Sequence, residues 1–403
     1  MEYMTLEKYY YRKEANYEEE YNRRVSSIAS KSLNLPIITS YDVEYNIFVM
    51  YTNEVINLLD KIHESVIKRK NRKPITEAIS YKSFYIKNLM LEELIATNEI
   101  EGVSSSKKDL LLAFDDKTRN RRFYSITNKY NKIISGETLN FDDIISFRKI
   151  YDDLMESEIS EDKMPDGKMF RKDEVFVTKG DGSQKPVHTP FKTEVEIMRH
   201  LELLMEFIKS NDVPSYIKIA ISHYYFEYIH PFYDGNGRTG RFIASSMISE
   251  YDLFLAFKLS KIIKENQKQY LDSFIVTKHG LNRGDATPFV LMFLNMLLIA
   301  TNEIDDDITK MEFKLNKIIN YIDNNLVKKY DLSDQESNTI FIIAQVKTMD
   351  LPIKIQEIAD AMGVSYQTSR KNVNYFVELG LVKRGNIYGT YNLDDRVYDD
   401  MLR

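Results

Sequence analysis

The chain has 403 residues with 14 Gly, 9 Pro and no Cys, and its 55 Lys and Arg against 61 Asp and Glu leave a net charge of −6. That length exceeds the roughly 250 to 300 residues at which one hydrophobic core stops growing, so two or three domains are expected. The lack of Cys excludes disulfides, thiolate zinc sites and a cysteine nucleophile and suits a reducing compartment, while the acidic balance excludes a globally basic nucleic-acid coat.

Residues 1 to about 135 are Tyr-rich and charged and read as an N-terminal helical region, with helices predicted near 41 to 69 and 81 to 101; in the first, Ile47, Val55, Leu58, Ile62 and Val66 fall near helical spacing. The N-terminus has no basic segment followed by an apolar run, and no stretch is read as approaching roughly 18 uncharged apolar residues, so a cytoplasmic protein with no membrane association is expected. Between 164 and 190, Pro165-Asp166-Gly167, Gly180-Asp181-Gly182 and Pro186 bracket Val175-Phe176-Val177, which predicts a small hairpin. Helices are predicted near 192 to 210, 214 to 229, 238 to 250, 262 to 279 and 287 to 303, the last opening at Thr287-Pro288. The charged stretch Glu303 to Asp307 then leads into a connecting helix, 308 to 328. The class is mainly α, with a central domain over 136–305 and a last module over 306–403.

The chemistry concentrates in His230-Pro231-Phe232-Tyr233-Asp234-Gly235-Asn236-Gly237-Arg238-Thr239-Gly240-Arg241. Pro231 disfavours helical geometry at His230, which places the imidazole at a helix-to-loop corner. Gly235 and Gly237 let the backbone approach a ligand, and the helix that follows points unpaired N–H groups at an anion. Arg238 and Arg241 can fork onto phosphate oxygens, Asp234 can hold Mg²⁺, and a histidine can deprotonate a hydroxyl near neutral pH. A polyphosphate is the natural ligand.

The string resembles, at every defined position, the signature of the Fic (filamentation-induced-by-cAMP) family. The resemblance implies a Fic-type helical core and a nucleotidyltransferase that moves AMP from ATP to a Ser, Thr or Tyr hydroxyl of a protein, itself included. By motif position, His230 would be the base and Asp234 the ligand of Mg²⁺ or Mn²⁺. Gly235, Asn236 and Gly237 would cradle the α-phosphate, Arg238 and Arg241 would hold the β and γ phosphates, and Phe232 would be a buried anchor. Doc-like kinases of this family carry Lys where Gly237 stands, so an AMP transferase is implied; phosphocholine-transferring members are not separated by the motif. Ser260 to Tyr270 resembles the adenine-lining segment, with Asn266 and Tyr270 on one helical face. The predicted hairpin, with Val187, His188 and Thr189, takes the place of the family's flap, which aligns a target by strand addition. His188 is read as a flap residue, and His223 as structural.

Thr97-Asn98-Glu99-Ile100-Glu101-Gly102 closes a predicted helix, and Thr97 and Glu101 share a face at i, i+4. It matches the family's inhibitory helix motif, here spanning about 85 to 102. The resemblance implies that Glu101 pairs with Arg241 and blocks the productive ATP pose. It also leaves open an AMP-removing activity, with Glu101 positioning a water, and a homodimer.

Residues 353–365 read as a short strand, a helix and a Gly turn; Ser365 caps the next helix, and two short strands follow around 380–393, the pattern of a winged helix-turn-helix. Tyr366, Gln367, Thr368, Arg370 and Lys371 open its second helix and suit DNA contact, while a protein-interaction role stays equally open. Two readings therefore compete: an autoinhibited protein adenylyltransferase, and a DNA-binding regulator whose Fic domain senses nucleotide.

Overall fold

A computed structural model describes residues 3–12, 16–72, 81–114, 121–156, 158–177 and 188–403. The chain is mainly helical and divides into two compact units, residues 1–67 with 92–301 and residues 68–91 with 302–403.

The first unit opens with α1 (Leu6–Tyr10) and α2 (Tyr17–Val25), followed by an antiparallel hairpin of β1 (Ser30–Ile38) and β2 (Glu44–Met50). Ser30 lies opposite Met50 and Ile38 opposite Glu44, with a register shift between Ser32 and Pro36. This corrects the helix predicted from residue 41. Tyr45, Ile47, Phe48 and Val49 are strand formers, and Ile47 to Met50 is a continuous buried run rather than a helical stripe. The far edge of β2 is also bonded: Phe48 N–H donates to Gly284 and Ala286 N–H donates to the Phe48 carbonyl. The predicted helix begins later, as α3 (Asn53–Asn71), with Val55, Leu58, Ile62 and Val66 buried on one face as expected.

Next come α4 (Tyr81–Ile100), α5 (Lys107–Phe114), α6 (Tyr124–Ile134) and α7 (Ile145–Met155). α8 (Glu194–Lys209) opens on a capping box between Thr193 and Glu196. α9 (Ser215–Ile229) is apolar almost all round, so it is the central helix, packed against α8 and α10 (Asn236–Ser249). α11 (Leu253–Ala256), α12 (Leu259–Glu265) and α13 (Gln267–Lys278) follow; the last two replace the single helix predicted over 262–279, which breaks at Asn266.

α14 (Thr287–Tyr321) continues through Glu303 to Asp307, where a break was predicted. No Gly or Pro interrupts it, and Ile304, Ile308, Met311, Leu315 and Ile318 carry the buried stripe across the charges. With the residues to Tyr330, it is the one helix among those described that is long and apolar enough to cross a membrane, contrary to the sequence reading. Phe289, Val290, Phe293, Leu294 and Leu297 on it are fully buried, the pattern of a core helix.

In the second unit a π-helical turn, Ile322–Leu326, leads to α15 (Val327–Tyr330) and to α16 (Asp334–Lys347), capped by Ser333 and Glu336. Then come β3 (Ile353–Lys354), α17 (Ile355–Met362), α18 (Tyr366–Glu378), β4 (Val382–Arg384), β5 (Thr390–Leu393) and α19 (Asp395–Leu402). The sheet is antiparallel in the order β3-β5-β4, with Ile353 opposite Tyr391 and Val382 opposite Leu393. Gly363 ends α17 in the left-handed region, and the Ser365 hydroxyl accepts from Thr368 N–H at 3.1 Å to start α18. Ile340, Ile358, Val373, Phe376 and Leu393 form its core.

Candidate functional site

The site is built on the turn between α9 and α10. His230 ends α9 at φ 51°, a left-handed position for a non-Gly residue, and its N–H donates to the Phe226 carbonyl at 3.0 Å. Three neighbours hold that corner. Arg171, fully buried, donates from Nε to the His230 carbonyl at 2.8 Å and from Nη2 to the Phe191 carbonyl at 2.7 Å. Phe232, the anticipated anchor, is fully buried and stacks on Tyr151 with ring centroids 3.7 Å apart. Asn236 closes the loop on itself, accepting from Phe232 N–H at 2.9 Å and donating to the Phe232 carbonyl at 2.7 Å. Because its amide is taken up in this way, what the loop offers an anion is backbone. The first helical bond of α10 runs from Thr239 N–H to the Gly235 carbonyl, which leaves the preceding N–H groups at the helix start without intrahelical acceptors. Gly235 sits at φ 81°, close against Tyr151 and Met155, and only glycine fits this conformation without strain.

Burial and the Arg171 guanidinium push the His230 imidazole down to about 4, against a hydrogen bond with the Glu227 backbone that favours its charged form. At neutral pH the ring is therefore uncharged and able to accept a proton.

One turn further, Arg241 is 2% exposed. Its Nε donates to Thr97 Oγ1 at 2.8 Å, and its Nη2 donates to the Thr97 carbonyl at 3.2 Å and to Glu101 Oε1 at 2.6 Å. The i, i+4 pair read from the end of α4 thus closes on the last arginine of the motif. Gly102 follows at φ 72°, with its N–H on the Glu99 carbonyl, which ends the helix where Glu101 must reach across. A Cβ at Gly237 would collide with the Glu101 carboxylate, so the ion pair lies directly on the backbone of the helix start. Glu101 raises the Arg241 pKa further despite burial. Glu99 points elsewhere, to Lys264.

At the other end, Asp234 accepts from Gly235 N–H at 2.6 Å and from Lys163 Nζ at 3.0 Å, and Arg238 lies 3.7 Å from Oδ1. Burial pushes the Asp234 carboxyl up, but Lys163, the Gly235 N–H and Arg238 outweigh it and hold it below its usual range. Arg238 itself is buried, 4.0 Å from Glu158, with Nε unbonded. Asp234 is held ionised and is partly open to solvent, which fits a divalent metal that takes one or two carboxylates and would displace Lys163. Among the described residues no cluster of three or more His, Asp or Glu could hold a metal, so such an ion would draw its other ligands from water and phosphate.

Behind Arg241, the Tyr270 hydroxyl is 2.7 Å from His223 Nε2. Burial, then Arg241, push His223 down to about 3, a packed neutral ring beside Phe274, Phe289 and Phe293. Asn266, at the junction of α12 and α13, bonds the Ile262 carbonyl, so it and Tyr270 do not share an unbroken helix face. Burial pushes Glu227 up to about 8, with Arg241 opposing and Glu101 adding; its Oε1 is buried without a partner and its carboxyl lies over Gly240.

Of the predicted flap, Gly180-Asp181-Gly182, Pro186 and Val187 lie outside the described residues. His188 pairs antiparallel with Val177 as an isolated bridge, and the described flanks form no strand. Its Nδ1 accepts from Lys278 Nζ at 2.8 Å, which leaves Nε2–H to donate to the Tyr228 carbonyl at 2.7 Å. Thr189 follows directly. In the second unit, Tyr366, Gln367, Arg370 and Lys371 are exposed on α18, whereas Thr368 is half-buried against Ser365.

Lys163, Arg171 and Glu227 escaped the sequence reading. Glu227 alone carried a local signal, lying three residues before His230; the other two reach the site from distant segments.

Residues 141–248 match the Fic/DOC family, so a Fic/DOC domain occupies that part of the chain. The chain is 28% identical over 151 residues to protein adenylyltransferase Fic of Drosophila mojavensis, covering 36% of this chain and 27% of the relative. It is 26% identical over 181 residues to protein adenylyltransferase Fic of Aedes aegypti, covering 43% and 33%. The chain thus spans about a third or less of the length of these relatives. A Fic family protein from Desulfovibrio desulfuricans G20 has the same fold, with a TM-score of 0.51 at 18% identity over 85% of this chain and 97% of that one.

Proposed function

We propose that this Fic/DOC-domain protein is an autoinhibited protein adenylyltransferase. It transfers AMP from ATP to a Ser, Thr or Tyr hydroxyl of a protein, itself included, and Glu101 holds it at rest. The observation that carries this reading is the Glu101 carboxylate on Arg241, above Gly237: an anion of the protein's own where an anionic ligand would bind.

The chemistry follows from the turn. The hydroxyl oxygen of the target attacks the α-phosphorus; the new O–P bond forms as the bond to the bridging oxygen breaks, and pyrophosphate leaves with the electron pair. His230 takes the hydroxyl proton on a ring nitrogen. The α10 N–H groups and Arg238 and Arg241 stabilise charge on the phosphates. A Mg²⁺ or Mn²⁺ at Asp234 would neutralise part of that charge when bound. Arg171 and Asn236 hold the loop so that these groups converge. Asn266 and Tyr270 would lie toward the base, and His188 and Thr189 toward the target.

The test is incubation with ATP labelled on the α or γ phosphate. Wild-type protein labels weakly, and Glu101→Gly raises α-label incorporation by at least about tenfold, equivalent to about 1.4 kcal/mol. Adding His230→Ala abolishes it. Label from the γ position alone would mean kinase chemistry, and no label from folded Glu101→Gly protein would end the proposal. Because His230 is held near 4, labelling by Glu101→Gly keeps a plateau down to about pH 5 and falls below it; an acid limb centred at 6.5 would contradict the role of that buried ring.

For the second unit we propose a winged helix-turn-helix that binds DNA through α18, supported by the sheet order, the Ser365 cap and the exposed Gln367, Arg370 and Lys371. A gel shift at low and 0.15 M salt tests it. No retardation at either would leave a protein partner as the reading.

A further inference from the structure

Glu93 lies on the same face of α4 as Thr97 and Glu101, in steps of four. Opposite them α10 presents Ser245 and Arg241, again four apart, and then Gly237. The contacts pair off in order: Ser245 Oγ donates to Glu93 at 3.3 Å, Arg241 bonds Thr97, and Glu101 reaches Arg241 above Gly237. The numbers rise along one helix as they fall along the other, so the two run antiparallel in a fixed register.

Glu93 is the fully buried member of this row that also bonds α12. Its Oε2 accepts from Ser260 N–H at 2.7 Å and its Oε1 from Ser260 Oγ at 2.5 Å. Burial pushes its carboxyl up to about 7, and those donors with Arg241 act against that rise. Glu92 with Lys261 and Glu99 with Lys264 add half-exposed ion pairs that contribute little to this register. A slip of one turn would move Glu101 about 5.4 Å along the helix axis, beyond reach of Arg241.

We propose that Glu93 is the positioning residue of the inhibitory contact: through Ser260 and Ser245 it sets the register of α4 against α10 and α12, and so delivers Glu101 to Arg241. This rests on the autoinhibition reading above. Glu93 touches no reacting atom in that scheme and acts through Glu101.

Glu93→Gln keeps the side-chain shape but replaces one acceptor oxygen with an NH2 group, so the Ser245 and Ser260 hydroxyls must turn from donating to accepting. In the otherwise wild-type chain it raises α-label incorporation by about threefold to tenfold. In the Glu101→Gly background it leaves labelling within about twofold, because the contact it positions is already gone. Ser245→Ala, a milder change, gives a rise of about twofold in the wild-type background and none in the other. Hydrogen exchange of residues 92–101 is faster in Glu93→Gln than in wild type.

Unchanged labelling by folded Glu93→Gln, with Glu101→Gly activated as expected, overturns the inference and leaves the inhibition reading intact. Equal losses in both backgrounds also overturn it, since Glu93 would then serve folding alone. Should Glu93→Gln fail to fold, Ser245→Ala decides by the same criterion. A Glu101→Gly protein that is not activated fails the underlying reading, and this inference with it.

Discussion

The two ends of the 230–241 turn hold their charges differently. At the Arg241 end the guanidinium is 2% exposed and makes three hydrogen bonds, while its partner Glu101 keeps 30% of its side chain open. At the Asp234 end the carboxylate is 34% exposed and its partner Lys163 is 55% exposed. A buried guanidinium without a partner is strongly unfavourable, so Arg241 must always be engaged, either by the protein's own carboxylate or by an anionic ligand. An exposed carboxylate has no such requirement, because water replaces Lys163 at little cost. On the proposed reading, inhibition therefore depends on the Arg241 end, and the Asp234 end is left easy to exchange.

The largest effect that tests this contrast is at Arg241. In the Glu101→Gly background, Arg241→Ala is expected to lower α-label transfer by about a hundredfold or more, the scale seen when a preorganised donor to a transition-state charge is removed. If transfer stays within about tenfold of the Glu101→Gly parent, the buried arginine is not the anchor of the nucleotide. The next effect is at Thr97. Thr97→Val keeps the shape and the carbonyl contact but removes the acceptor for Arg241 Nε. A hydrogen bond to a charged group contributes about 1.5–3 kcal/mol, and part of it is recovered by Glu101. Labelling should then rise by about fivefold to tenfold, less than with Glu101→Gly. A larger rise than that of Glu101→Gly would make the hydroxyl, and not the carboxylate, the principal lock.

Why the Arg241 end was legible in the sequence has a physical reason. Thr97 and Glu101 are tied to each other by helical spacing and to a Gly cap, and Arg241 to a glycine-rich turn, so both halves carry local grammar. Only the act of pairing them required the family resemblance. Glu93 has the same spacing but looks like any helix glutamate, since nothing local distinguishes a buried carboxylate from a solvated one. Arg171 acts through carbonyls of residues 191 and 230, and carbonyls leave no trace in sequence. The β1–β2 hairpin was misread because Ile47 and Val55, eight apart, fit a helix as well as a strand followed by one. Its buried run from Ile47 to Met50, together with its bonds to Gly284 and Ala286, is non-local and outweighed that periodicity.

The smallest effect belongs to Lys163, and it tests the exposed end of the contrast directly. Lys163 donates to the Asp234 carboxylate that would hold a metal, so the two cations would compete for one carboxylate. Lys163→Gln should raise affinity for Mn²⁺, measured by calorimetry with ATP present, by no more than about threefold at 0.15 M salt, because an exposed pair is screened. The gain should grow as salt is lowered, since screening falls while the competition between like charges remains. A tenfold loss of Mn²⁺ affinity would reverse the interpretation: Lys163 would then hold the phosphates alongside the ion, and the two ends of the turn would be coupled rather than separable.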